Sequence, residues 1–291
     1  MSPPPTASAP AELFDRALRR RRRDRAAALF AGHDFLRAHM AEELLDRLDG
    51  VTRRFTHALD LGTADSRLAT DLRARGITVT TADSGFVFAR SGVQCDEDRL
   101  PFADASFDLV IAAGGLESVN DLPGALALIR RVLKPDGLFL AAFPGAGSLA
   151  VLKGAMLQAD IATGTAAHAR IHPQIDVRAG GDLLSRAGFA LPVADGLGLA
   201  VRYSSIFSLF ADLRGMGLTN LLPSGRVPLT RAWLAAAAAA FAARADPDGR
   251  IAERFELVCL TAWSPGPEQP KAARRGSATA SLAAALKPRP D

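Results

Sequence analysis

The chain has little of what marks extracellular, membrane-spanning or nucleophilic proteins. Its 291 residues include only two cysteines, Cys95 and Cys259, which stand far apart in the sequence. They exclude a disulfide scaffold and a Cys-x-x-Cys motif, and they favour a reducing compartment, so we expect a cytoplasmic protein. No apolar run reaches the roughly 18 residues that span a bilayer, and no apolar signal segment follows the N-terminal charges. No Ser–His–Asp or Cys–His pattern indicates nucleophilic catalysis.

The excess positive charge lies in one short segment. The formal net charge is +4, and residues 1–25 hold seven arginines against three acids, so the rest of the chain is balanced. No stripe of basic and aromatic residues is present, and we expect no nucleic-acid partner, because phosphate binding requires a basic face. The segment Arg16–Arg25 is typical of a solvated helix start. It also fits a peripheral membrane contact, a contact to a protein partner, or the edge of an active-site lid.

The order of apolar patterns predicts an α/β fold. Helical spacing runs from Glu12 to about Leu48, after which short apolar runs alternate with helical patterns. Such alternation is typical of a doubly wound, mostly parallel sheet. Strands are predicted at Thr56–Leu61, Thr78–Ala82, Leu109–Ala113, Leu138–Phe143 and Phe255–Trp263. Helices are predicted at Arg67–Arg75, Leu122–Leu133 and Gly181–Ala187, with further inserted helices at Ser204–Gly215 and Leu229–Ala243.

Several residues at the predicted strand ends suit a nucleotide-like ligand, because ligands of open α/β sheets bind beyond the carboxyl ends of the strands. Gly62 follows the first strand, where a glycine lets a ligand approach the backbone, and the helix that starts after it favours an anionic group. Asp83 lies at the end of the second strand, where a carboxylate can accept hydrogen bonds from ribose hydroxyls. The candidate cofactor-binding residues are Asp60, Gly62, Ala64, Asp83, Asp96 and Gly114.

These segments resemble the class I S-adenosylmethionine (SAM)-dependent methyltransferases. That family has an acid after its second strand, an Asp four residues before Leu-Pro-Phe, and Ser-Phe-Asp before its fourth strand. The corresponding residues are Asp83, Asp96, Leu100–Phe102 and Ser106–Asp108, and Arg130–Gly137 matches the turn before the family's fifth strand. The resemblance implies a Rossmann-like sheet, mostly parallel with an antiparallel last strand, and SAM as cofactor. It also implies that Asp83 holds the ribose and Asp96 the adenine amine.

A longer series of segments narrows the resemblance to one group. It comprises Leu13–Arg20, Val119–Pro123, Leu183–Phe189, Asp212–Gly217, Leu260–Trp263 and Arg275–Thr279. The set is similar to bacterial relatives of the mitochondrial complex I assembly factor, and the core is similar to the malonyl-acyl-carrier methyltransferase of biotin synthesis. The resemblance implies a SAM-dependent methyltransferase-type enzyme of the complex I assembly group. The alternative it leaves open is hydroxylation of an arginine on an iron–sulfur subunit of that complex.

The glycine-rich turn departs from the family pattern. Where the family has G-x-G-x-G, this chain has Gly62-Thr63-Ala64-Asp65-Ser66. Ala64 therefore adds a Cβ where the backbone meets the ligand, and Ser66 replaces a glycine that permits close helix packing. A further alternative is a non-catalytic binding or assembly protein that keeps the fold with a degenerate SAM site.

Catalytic candidates follow the fourth strand or lie in the inserted segments. Glu117 could act as a general base or be a solvated acid, and Asn120 is placed to contact substrate. Tyr203, the only tyrosine, could face the cleft or pack in the core. His168 and His172 have the i, i+4 spacing of a metal pair, but a proline directly after His172 breaks the helix. We therefore predict surface histidines and no metal.

The same patterns divide the chain into segments. We expect a single methyltransferase-like domain at 12–264, in which 12–50 supplies N-terminal helices, 51–143 the cofactor-binding half and 144–264 the inserted helices and closing strands. The proline-rich ends are predicted to be a disordered segment at 1–11 and a tail at 265–291.

Overall fold

The computed structural model describes residues 12–166, 169–223, 228–267 and 269. Its strands are β1 (His57–Leu61), β2 (Thr78–Asp83), β3 (Val93–Gln94), β4 (Phe107–Ala113), β5 (Leu133–Pro144), β6 (Ala190–Tyr203) and β7 (Ile251–Trp263). Its α-helices are α1 (Arg16–Ala27), α2 (Phe35–Asp49), α3 (Arg67–Ala74), α4 (Leu122–Val132), α5 (Ala150–Ala162), α6 (Val177–Arg186), α7 (Ile206–Gly215) and α8 (Arg231–Ala242). The predicted segment 1–11 and nearly all of the predicted tail lie outside the described residues.

The strands form a single sheet with the order β3-β2-β1-β4-β5-β7-β6. Strands β1 to β5 pair in parallel, whereas β7 is antiparallel to both of its neighbours, β5 and β6. The strand order reverses between β1 and β4, and ligands of such sheets bind in the crevice at that switch point. The predicted fold class, a mostly parallel Rossmann-like sheet with an antiparallel last strand, is confirmed.

The sheet carries a hydrophobic core on each face, because successive residues of a strand point to opposite sides. In β4, Leu109 and Ile111 join the core built with α2, α3, α5, α7 and α8. Val110 and Ala112 join the other core, which contains α4 and α6. Helices cover both faces, and the acidic residues of β1 and β2 lie at the carboxyl ends of these strands.

Three elements, the two-residue strand β3, strand β6 and helix α5, have no counterpart in the sequence prediction. Strand β6 contains Pro192 and two glycines, which weaken a strand pattern but are tolerated on an edge strand. Helix α5 follows Leu149, whose φ is +61°, and its first turn is capped by Glu253, which accepts hydrogen bonds from the N–H groups of Val151 (3.3 Å) and Leu152 (2.7 Å). Because Glu253 lies about a hundred residues away in the chain, the local sequence does not predict the start of this helix. The continuous helical pattern at the N-terminus is divided into α1 and α2 by a short turn.

Within the described residues, no helix is long and apolar enough to cross a membrane.

Asp108, from the Ser-Phe-Asp segment, fastens the start of β1 to β4. Its carboxylate accepts hydrogen bonds from the N–H groups of Thr56 (3.0 Å) and His57 (2.9 Å) and from the Thr56 hydroxyl (2.6 Å). Burial raises the pKa of Asp108, whereas these hydrogen bonds and the nearby Lys134 lower it. The lowering effects are together larger, so the pKa lies below the usual value. The acid of this motif therefore stabilises the sheet.

We predict that Asp108→Asn lowers the free energy of unfolding at pH 7 by roughly 1.5–3 kcal/mol, the range for hydrogen bonds to a charged group. Because the folded-state pKa is depressed, this contribution is present above the unfolded pKa of about 4 and is lost as the pH falls through the folded value. Urea unfolding from pH 7 to pH 3 measures it. The exposed acid variant Asp104→Asn is the control, and equal costs for the two variants at pH 7 would contradict the assignment.

Candidate active site

The six predicted cofactor residues gather at the carboxyl edge of the parallel strands. Asp60 and Asp83 are the acids at the ends of β1 and β2, and both are fully buried. Asp96 follows β3, and Gly114 follows β4. Gly62 and Ala64 lie in the turn between β1 and α3. The structure thus places these residues around the switch point of the sheet, as the strand-end argument predicts.

The turn after β1 requires a glycine at its first position. Gly62 has a φ of +74°, and a Cβ there would lie 3.0 Å from the carbonyl oxygen of Gly114. The N–H groups of Gly62 and Thr63 both donate to the carbonyl oxygen of Ala82 at the end of β2 (2.8 and 3.0 Å). The turn is therefore fixed against β2.

Arg37 of α2 occupies part of that crevice. Its Nη1 donates to the carbonyl oxygens of Gly62 (3.0 Å) and Ala113 (2.5 Å), and its Nη2 lies 3.3 Å from Asp60 Oδ1. Arg37 and Asp60 are both buried, and a buried cation requires such acceptors. A guanidinium thus satisfies the backbone oxygens at the ends of β1 and β4.

Helix α1 covers the acids beyond β2 and β3 with four arginines on one face, which we call the arginine ladder. Their spacing of three and four residues puts them on one side of the helix. The pairs, each within hydrogen-bond distance, are Arg16–Asp98, Arg19–Glu97, Arg20–Asp96 and Arg23–Asp83. Three of the four are bidentate, the geometry in which arginine binds a carboxylate most strongly.

The innermost pairs of the ladder are the most buried. Arg23 Nε donates to Asp83 Oδ1 at 2.7 Å while Nη2 contacts the other oxygen, and the Asp83 side chain is fully buried. Arg19 binds both oxygens of Glu97 at 2.6 Å and donates to the Gly115 carbonyl at 3.1 Å. Asp83, the predicted ribose ligand, therefore contacts an arginine of the same chain.

The residue types at this crevice fit SAM. Asp83 offers a carboxylate to ribose hydroxyls, and Asp96 Oδ1 is a shielded acceptor without a hydrogen-bond partner among the described residues. The remaining cavity, however, is about 30 Å³, whereas pockets for small ligands hold roughly 300–1,000 Å³. Arg23 and Arg37 both line this small cavity.

A large cavity of about 630 Å³ adjoins the crevice. Its wall is mainly apolar and is supplied by the inserted helices α5 and α7, by the end of β5 and by residues 170–175. Its charged lining residues among those described are four arginines and one acid, Glu117. The large and small cavities share Glu117, Pro144 and Leu218, so Glu117 lies where the two spaces meet.

Glu117 is the acid best placed for chemistry. Its Oε2 atom is shielded from solvent and lacks a hydrogen-bond partner among the described residues. Burial raises the pKa of Glu117, although the positive charges of Arg19 and Arg23 oppose the shift. A carboxyl group with a raised pKa at the junction of two cavities is suited to accept a proton from a bound substrate.

The other catalytic candidates occupy structural positions. Asn120 accepts a hydrogen bond from the Phe14 N–H (2.7 Å) and donates to the Phe14 carbonyl (3.0 Å), so it anchors the segment before α1. Tyr203 is buried in the core with Trp233 and does not line either cavity. These contacts indicate supporting roles for both residues.

Of the two histidines, His168 lies outside the described residues. His172 lines the large cavity, and its Nε2 accepts a hydrogen bond from the Leu221 N–H at 2.7 Å. Burial and nearby arginines lower the pKa of His172 to about 4, so the ring is neutral at pH 7. Within the described residues, no group of three His, Cys, Asp or Glu side chains is arranged to hold a metal ion.

The first interpretation of Arg16–Arg25, a solvated helix start, is wrong for the buried Arg19 and Arg23. The edge of an active-site lid is among the alternatives, but the sequence pattern did not predict that these arginines pair with the acids of the cofactor site. A signal for the ladder is present, because the arginines recur at helical spacing and Asp96, Glu97 and Asp98 form a run of acids. Arg37 carries no comparable signal, since its partners are backbone carbonyls.

The sheet order and the acids at its switch point define a class I methyltransferase fold. A family model described as a methyltransferase domain matches residues 59–141. The "Arginine-hydroxylase NDUFAF5, mitochondrial" of Danio rerio is 33% identical over 284 residues, covering 93% of this chain and 88% of the relative. The "Malonyl-[acyl-carrier protein] O-methyltransferase" of Methylovorus sp. (strain MP688) is 31% identical over 279 residues, covering 89% and 92%. The YcgJ protein of Bacillus subtilis has the same fold, with a TM-score of 0.53 at 16% identity, and the match covers 78% of this chain and 99% of that one.

The chain belongs to the family of SAM-dependent methyltransferase-type enzymes that includes these two relatives. This membership confirms the class of enzyme and the cofactor predicted from the sequence.

We predict that Ala64→Gly tightens SAM binding several-fold, which corresponds to less than about 1.4 kcal/mol. Ala64 lines the small cavity and is nearly buried, so removing its Cβ enlarges the space beside the turn. Isothermal titration calorimetry measures the change. The control is Ala74→Gly, the same substitution at the exposed end of α3. Unchanged affinity in Ala64→Gly would show that the Ala64 methyl group does not weaken the binding of SAM.

Proposed function

We propose that the chain is a SAM-dependent methyltransferase-type enzyme of the respiratory complex I assembly group, acting on a side chain of an iron–sulfur subunit in the cytoplasm. The observation that carries the proposal is the position of Glu117 between the small cavity and the large cavity. The small cavity lies among the predicted cofactor residues, and the large cavity has the volume to admit a protein side chain with part of its backbone.

This arrangement indicates a role for each part of the site. SAM, when bound, would supply a methyl group on a positively charged sulfur. Asp83 and Asp96 would hold its nucleoside part, and the apolar walls of the large cavity would exclude water from the acceptor. Glu117 accepts the proton that the acceptor nitrogen or oxygen loses, and its raised pKa matches that task.

Positioning is the main contribution of the fold, because methyl transfer requires two reactants to be held in line. The N-terminal helix α1 supplies Arg22 and Arg25 to the wall of the large cavity, and the inserted helices α5 and α7 supply much of the remaining wall. We therefore propose that residues 12–264 act as a single domain, since both additions are needed to complete the site.

Arginine hydroxylation is the second candidate function. It is favoured by the name of the relatives that match nearly the whole chain, arginine-hydroxylase NDUFAF5. The unpartnered Oε2 of Glu117 could also pair with a guanidinium that enters the large cavity. The third alternative, a binding protein without turnover, is supported by the crowded small cavity.

Mass spectrometry of the iron–sulfur subunits, from cells with and without this gene, tests the proposal. We expect one subunit to lose a modification when the gene is deleted. Loss of one CH₂ supports methyl transfer, and loss of one oxygen supports hydroxylation. Identical masses in the two strains would contradict both enzymatic functions on that target.

We predict that Glu117→Gln, returned to the deletion strain, reduces the rate of modification about 10²–10⁴-fold, the usual contribution of a general base. Glutamine keeps the shape of the side chain but cannot take a proton. The control is Glu42→Gln, the same substitution at an exposed position of α2, which should leave the rate unchanged. Full activity in Glu117→Gln would contradict the role of Glu117 as general base.

A further inference from the structure

The arginine ladder places a part of the chain where a cofactor must bind. Arg23 holds Asp83, and Arg20 donates to Asp96 Oδ2 at 2.7 Å. These two acids are the ones to which the family resemblance gives the ribose and the adenine amine. Asp83 has both of its carboxylate oxygens in contact with Arg23, so ribose hydroxyls and Arg23 compete for the same acceptors.

Helix α1 is attached through the ladder and through few apolar contacts. Its Leu18 belongs to a small cluster with Phe14, Leu221 and Leu222, which is separate from the two cores of the sheet. Its Ala26 is buried, and the Arg23 guanidinium lies over the Phe88 ring (5.2 Å). The segment before it is tied by Asn120 and by a hydrogen bond from the Asp15 N–H to the Leu221 carbonyl (2.9 Å). An element with few apolar contacts of its own separates from a domain more easily than one that belongs to the main core.

We propose that α1 is a lid that binds the cofactor site in competition with SAM, so that ligand binding requires Arg23 and Arg20 to leave Asp83 and Asp96. The inference rests on the proposed function, because it assumes that these acids bind the nucleoside. Arg23 lines the small cavity, which in the closed state is about 30 Å³, so its displacement enlarges that cavity.

The lid also connects the two halves of the site. Arg22 and Arg25 of α1 line the large cavity, while the ladder on the neighbouring face of the helix contacts the cofactor acids. Movement of α1 away from the cofactor acids therefore also changes the wall of the large cavity, where the methyl acceptor is proposed to bind. Cofactor and acceptor are coupled through one helix, as in other two-state elements that contact two ligands.

Calorimetry with S-adenosylhomocysteine, a stable probe of the same site, tests the competition. We expect Arg23→Gln to bind the probe at least tenfold more tightly than the native chain. Arg20→Gln, which removes a half-exposed side chain at the other acid and disturbs the interior less, should tighten binding by a smaller factor. The matched control is Arg21→Gln, at an exposed position of the same helix, which should bind like the native chain.

Amide hydrogen exchange of the native chain gives an independent readout. We expect the amides of residues 16–27 to exchange faster when S-adenosylhomocysteine is added, while those of β4 and β5 do not. Binding with unchanged affinity in Arg23→Gln and Arg20→Gln, or without faster exchange in α1, would overturn the lid and leave the proposed function intact. Absence of binding in the native chain and in both variants would overturn the lid together with the cofactor part of the proposed function.

Discussion

The organisation of this site depends on buried carboxylates that need cations. Asp60, Asp83, Asp96 and Glu97 are all nearly inaccessible to solvent at the edge of the sheet. An isolated carboxylate in such a place costs several kcal/mol, which only a close cation and hydrogen bonds can offset. In this structure the cations come from helices α1 and α2, which lie before the sheet in the chain. The N-terminal helices are thereby tied to the crevice by the charges that a ligand would otherwise use.

Buried ion pairs of this kind contribute little to net stability. The Coulombic gain of Arg23–Asp83 is set against the removal of both groups from water, and the balance is often close to zero. Breaking such a pair is costly only when nothing replaces the lost partner. A ligand that brings hydroxyl and amine groups to Asp83 and Asp96 replaces part of what the arginines supply. The closed crevice is thus compatible with ligand binding on energetic grounds.

The sequence predicted the sheet and the acids at its edge better than it predicted their partners. Gly62, Asp83 and Asp96 lie where local patterns put them, because a strand end followed by a turn is encoded by neighbouring residues. The partners are 60 to 82 residues away in the ladder, and their identity depends on how α1 folds back over the sheet. The same limit explains the missed helix α5, whose N-terminal cap is the distant Glu253. The missed strand β6 has a different cause, since an edge strand tolerates the proline and glycines that local rules count against it.

The altered glycine motif and the hydrogen bonds of Arg37 affect the same end of the crevice. In the family pattern the second glycine allows the backbone to approach the ligand, whereas Ala64 carries a nearly buried methyl group in that position. The carbonyl oxygens of Gly62 and Ala113 beside it, which could otherwise accept hydrogen bonds from a ligand's ammonium group, accept them from Arg37. Arg37 belongs to α2, which packs into the main core through Leu36 and Met40, so this side of the crevice is fixed more firmly than the side covered by α1. The two ends of the crevice therefore differ: the nucleoside end keeps both acids under a helix that can be displaced, and the end at the glycine turn is narrowed by a residue of the core helix itself.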